Sequence, residues 1–153
     1  MKRWERISFN VAALVVAATG FAYFWMKYFL QSDDPFAVVN HPWQPVMLSL
    51  HVLASPPFIL VLGLILNSHI MKKLRAPRMP NRASGLLSLG TFAAMVSSGY
   101  LLQVVMNEQW LPALVAVHVA SGTVFAGAYA IHLVISARLA QRRPLGSAAR
   151  EVA

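Results

Sequence analysis

At 58% hydrophobic and only 12% charged residues over 153 positions, the chain is too apolar for a soluble domain of its length, which matches four membrane spans of about 20 residues each. Cysteine is absent, which excludes disulfides, iron-sulfur clusters, thiolate metal sites and thioether-attached haem. Thirteen Lys and Arg against five Asp and Glu would suit nucleic acid on a soluble face, but these cations flank apolar runs, so membrane orientation accounts for them and no nucleic acid is expected.

The first span is predicted over about 9–30. Lys2, Arg3 and Arg6 precede it as in a signal peptide, but the apolar run is too long for one, so it reads as an uncleaved anchor. Its second half, FAYFWMKYF, is an aromatic belt with Lys27 placed to snorkel. Residues 31–45, QSDDPFAVVNHPWQP, contain no Lys or Arg and mark the outer side. The second span, about 46–70, carries His51 and His69 and is interrupted by Pro56 and Pro57, which predict a kink. MKKLRAPRMPNR follows, with Lys72, Lys73, Arg75, Arg78 and Arg82, and the positive-inside rule assigns it to the cytoplasm. The third span, about 85–106, returns outward to NEQWLP, whose only charge is Glu108. The fourth, about 113–137, ends at Arg138 and is followed by a basic cytoplasmic tail over 141–153.

The expected fold is therefore all-α: a transmembrane four-helix up-and-down bundle over 1–140 as one domain, with both termini in the cytoplasm. The halves share wording. Thr19-Gly20-Phe21 answers Ser98-Gly99-Tyr100, Trp43 answers Trp110, and His51-Val52-Leu53-Ala54-Ser55 answers His118-Val119-Ala120-Ser121. Each half reads as glycine-bearing helix, tryptophan loop, histidine helix, which predicts an internal two-helix repeat.

An imidazole at membrane depth is expensive, and ionisable residues there are functional candidates by default. His118 and His132 lie 14 residues apart, two heptads, so on one helix both rings project from one face about 21 Å apart. In an up-and-down bundle the second and fourth spans run in the same direction. His51 and His118 then share the outer level, and His69 and His132 the inner one. Imidazole is a common haem ligand, and each pair is placed to clamp one haem. Gly85 and Gly99, also 14 apart, fall at the same two levels, where a residue without a side chain either lets a porphyrin lie against the backbone or serves plain helix packing.

These features resemble the membrane di-haem cytochromes b, including the small bacterial b-type cytochromes that serve as membrane subunits of oxidoreductases. The likeness covers most of the chain from Thr19 to His132. It implies two non-covalent b-type haems held by His51, His69, His118 and His132, with Gly99 and Gly85 beside them, and electron exchange with quinone. The sequence departs from the pattern in the interval from His51 to His69, 18 residues instead of 13 or 14. That puts those rings about 27 Å apart on a straight helix, one turn more than their partners.

With both axial positions filled, iron has no open site, so one-electron transfer is the chemistry expected. No G-x-G-x-x-G segment and no soluble domain accompanies the spans. The expected role is a subunit in a bacterial inner membrane that links the quinone pool to a periplasmic redox protein or catalytic subunit docked near residues 31–45. Other classes are a metal or proton transporter using the intramembrane histidines, and a structural membrane anchor. His41 reads as a solvated loop residue, with a quinone-site or proton-exit role as the alternative; Asn40, Gln44 and Gln103 could help such a site, but no spacing argument selects them. Lys27 at the outer face, and Arg75 or Arg138 at the inner one, could pair with haem propionates, although snorkelling and topology already explain all three.

Overall fold

A computed structural model describes residues 2–66, 71 and 82–141, the last range without the side chains of 82–85, 136 and 139–141. It contains four α-helices, α1 Arg3–Tyr28, α2 Gln44–Ile65, α3 Arg82–Val104 and α4 Leu111–Gln141, and no strand among the described residues. All four are long and apolar enough to cross a membrane, so the chain is an all-α, multi-pass transmembrane protein. The chain divides into two compact units, Met1–Met79 and Pro80–Ala153, each holding one helical hairpin.

The first hairpin pairs α1 with α2. Helix α1 begins six residues before its apolar run, because the Glu5 carboxylate accepts the Lys2 N–H at 2.7 Å and closes the first turn. Its buried residues Glu5, Phe9, Ala13 and Val16 recur every three or four positions and form one stripe. Phe9 meets Phe58 of α2, with ring centroids 5.3 Å apart, while residue 20 of α1 lies against residue 51 of α2, so the helices are antiparallel.

The 29–43 connection is tied to both helix ends. Asn40 donates through Nδ2 to the Lys27 carbonyl at 2.8 Å, and its N–H donates to Gln44 Oε1 at 3.1 Å. Lys27 Nζ lies 5.6 Å from the Tyr23 ring centroid and 5.7 Å from that of Tyr28, a cation–π seat at the end of the aromatic belt. Helix α2 then runs unbroken through Pro56 and Pro57.

The second hairpin pairs α3 with α4 in a constant antiparallel register. Phe92 meets Phe125 at 5.7 Å between centroids, and residues 99 and 95 lie against 118 and 122. Tyr129 stacks on Phe125 one turn further along, with planes 4° apart. Both second helices start alike: the carbonyls of Trp43 and Trp110 accept the N–H groups of Met47 and Leu114 at 2.9 and 3.0 Å, with Pro45 and Pro112 in the first turn, where their missing N–H is harmless. Leu14, Leu53, Leu60, Val117 and Ile131 are exposed, as lipid-facing side chains are.

Candidate functional site

His51 and His118 occupy the same construction in their two hairpins. The Nδ1 of His51 lies 2.9 Å from the carbonyl oxygen of Val16, and the Nδ1 of His118 lies 2.9 Å from that of Met95. Each nitrogen also has a hydroxyl nearby, Thr19 Oγ1 at 3.5 Å and Ser98 Oγ at 3.4 Å. Each ring lies against a glycine. A Cβ added at Gly20 would stand 2.8 Å from His51 Cε1, and one added at Gly99 would stand 2.8 Å from His118 Cε1.

The local sequence explains why a side chain can reach a helix carbonyl at all. In an α-helix the carbonyl of residue i already accepts the N–H of residue i+4, and the side chain of i+4 crowds its second lone pair. Residue i+4 from Val16 is Gly20, and from Met95 it is Gly99. Glycine leaves that lone pair open, and the imidazole of the partner helix fills the space. Residue i+3, Thr19 or Ser98, turns its hydroxyl back onto its own helix, donating to Val15 at 2.7 Å in one case and to Ala94 at 2.7 Å in the other.

The network assigns the imidazole tautomer. A carbonyl only accepts, so Nδ1 carries a proton and donates; in the neutral ring the lone pair is then on Nε2. Metal-bound histidine is held this way, its second ring nitrogen donating to a backbone carbonyl that fixes ring orientation and raises ligand basicity. The donor set fits a haem: an imidazole half-buried in an apolar helix pair, from a chain with no cysteine to bind porphyrin covalently. It suits a bare divalent ion less well. Among the described residues no three His, Cys, Asp or Glu side chains come together, and a protein-only zinc site takes three or four such ligands.

The remaining candidates separate. His132 is half-buried on α4, and the helix is continuous between it and His118, so the 14-residue step is kept. His69, the basic connection 72–81 and the tail 142–153 lie outside the described residues, as do the surroundings of Gly85 within α3. His41 accepts the Trp43 N–H at 3.2 Å, Asn40 donates to Gln44 Oε1 and to the Lys27 carbonyl at the end of α1, and the Gln44 N–H donates to the His41 carbonyl, so all three build the loop that leads into α2. Gln103 is exposed. Sequence reasoning selected Gly99 but missed Gly20, Thr19 and Ser98 as parts of the site, although Thr19-Gly20 against Ser98-Gly99 was its available signal.

No family of known proteins, no characterised protein and no solved structure matches the chain.

Proposed function

We propose that the chain is a b-type cytochrome of the bacterial inner membrane, a subunit that carries electrons between the quinone pool and a redox partner on the outer side. In this reading His51 and His118 would hold the outer haem, and His69 and His132 the inner one, on the residues the sequence selects. Both termini are cytoplasmic in this reading, which the placement of Lys and Arg supports.

The observation that carries this reading is the duplicated seat. Two histidines at membrane depth, on different hairpins, have the same ring nitrogen held to a helix carbonyl at the same 2.9 Å, and each lies on a glycine. A histidine serving only to fill space has no need of such a seat twice. When bound, haem supplies a one-electron couple. The protein's part would be to present imidazole nitrogens as donor atoms and to exclude water with apolar side chains. An apolar groove of about 310 Å³ lined by Leu101, Val105, Trp110 and Leu114 offers a seat for a quinone tail near the 105–110 connection.

A reduced-minus-oxidised visible spectrum of the purified chain, with haem quantified per chain, tests the reading. Haem bands that quinol can elicit are the expected result. Metal without haem would move the assignment to transport, and neither pigment nor metal would move it to a structural anchor.

A further inference from the structure

Thr19 and Ser98 stand in equivalent places and do more than satisfy their own helices. Each hydroxyl has one proton. The 2.7 Å contacts to Val15 and Ala94 claim it, over the longer 3.2 and 3.1 Å contacts to Val16 and Met95. What remains toward the imidazole is an oxygen lone pair. Nδ1–H of His51 therefore has two acceptors, the Val16 carbonyl at 2.9 Å and Thr19 Oγ1 at 3.5 Å, and Nδ1–H of His118 has Met95 at 2.9 Å and Ser98 Oγ at 3.4 Å. The hydroxyl is the weaker of the two by distance. Ser98 is nonetheless 3% exposed, so its oxygen sits where little water competes and the local dielectric strengthens the contact.

We infer that Thr19 and Ser98 are positioning residues for the two histidines: their hydroxyl oxygens reinforce the Nδ1–H tautomer and push electron density onto Nε2. Two features separate this from helix packing. The hydroxyl falls at the position one before the glycine in both hairpins, and it sits within 0.1 Å of the same distance from Nδ1 despite a change of residue type, 3.5 Å less 3.4 Å. A packing role would be met as well by valine or alanine.

The inference rests on the haem reading for its consequence but not for its geometry, so it has a haem-free readout as well as a haem-bound one. Thr19→Val and Ser98→Ala remove the acceptor with little change of shape, and Thr19→Ser and Ser98→Thr keep it. In haem-free protein in lipid nanodiscs, ¹⁵N NMR reports the protonated nitrogen of each imidazole and the exchange of its proton with water. In haem-loaded protein, a redox titration reports the balance of oxidised and reduced forms.

Thr19→Val is expected to speed Nδ1–H exchange at His51 about threefold, the loss of one weak hydrogen bond, and to shift the haem balance toward the reduced form by a similar factor. The shift is toward reduced because a less basic imidazole stabilises ferric iron less. Thr19→Ser restores both values, and the Ser98 pair does the same at His118. Unchanged exchange and unchanged haem balance in Thr19→Val and Ser98→Ala would overturn the inference and leave the cytochrome reading standing. Protein that binds no haem but shows the exchange effect would overturn the cytochrome reading and leave the positioning role intact.

Discussion

His118 occupies the volume that a side chain at residue 99 would need. A Cβ built there lies 2.8 Å from His118 Cε1 and 3.1 Å from Nδ1, and the ring cannot retreat without giving up the bond to the Met95 carbonyl. Glycine is thus required at this position by a neighbour and not by the backbone conformation. Gly20 stands in the same relation to His51.

Gly99→Ala and Gly20→Ala should therefore each destabilise the protein by about 1–3 kcal/mol, as overpacking does, and lower haem per chain. Gly90→Ala and Gly127→Ala are the matched controls, since nothing lies within 4 Å of a Cβ at either site, and helix propensity makes them neutral or stabilising by up to about 1 kcal/mol. Thermal unfolding in detergent with haem quantification checks all four. Equal behaviour of the two sets would show that the seat at Gly20 and Gly99 is not constrained.

His51→Ala and His118→Ala should each abolish the outer haem, because a single imidazole does not replace a pair, whereas His41→Ala should leave the spectrum unchanged. His41 accepts an N–H from Trp43 within its own loop and lies outside the spans. His132→Ala should remove haem only at the inner level. Haem content and the low-spin ferric EPR signal distinguish these variants, and full haem retention in both His51→Ala and His118→Ala would sink the outer site.

The four spans and the candidate histidines were legible because apolar runs and ionisable residues contrast strongly. The seat was not. Whether Gly20 meets His51 depends on the antiparallel register of α1 against α2, which the 29–43 connection sets through Asn40, and no local pattern reveals that register. The start of α1 at Arg3 escaped hydropathy because Glu5 and Arg6 are charged, and only the Glu5 cap explains it. Pro56 and Pro57 argued for an interruption. Instead α2 continues through them, and the Ser55 hydroxyl bonds the His51 carbonyl at 2.7 Å just ahead of the missing N–H groups. Phe58 and Phe125, each seven residues after a seat histidine, gave no contrast within apolar runs, yet both are core residues of their hairpins.

Phe58 is 2% exposed and meets Phe9, so Phe58→Ala opens a cavity in the α1–α2 interface of the first hairpin. In water such truncations cost roughly 3–5 kcal/mol, part of it transfer from solvent, and in lipid the packing part remains. A loss of about 2 kcal/mol is expected, read as a lower unfolding midpoint in detergent. Phe36→Ala, at a side chain 90% exposed, should not move that midpoint. Equal shifts in the two variants would mean that Phe58 is not held by α1.

Topology is open to a clean test because the chain has no cysteine to remove first. Val38 is 98% exposed in the connection that contains no Lys or Arg, and Lys2 sits in the basic segment before α1. Translocation disfavours Lys and Arg near span ends, so the proposed orientation keeps the basic ends in the cytoplasm and sends the 29–43 connection across. Val38→Cys should then react with a membrane-impermeant maleimide in intact spheroplasts, and Lys2→Cys only after lysis. With α1 a single span between them, the two cysteines must lie on opposite sides, and the reversed labelling pattern would invert the membrane orientation and move the redox partner to the cytoplasmic face.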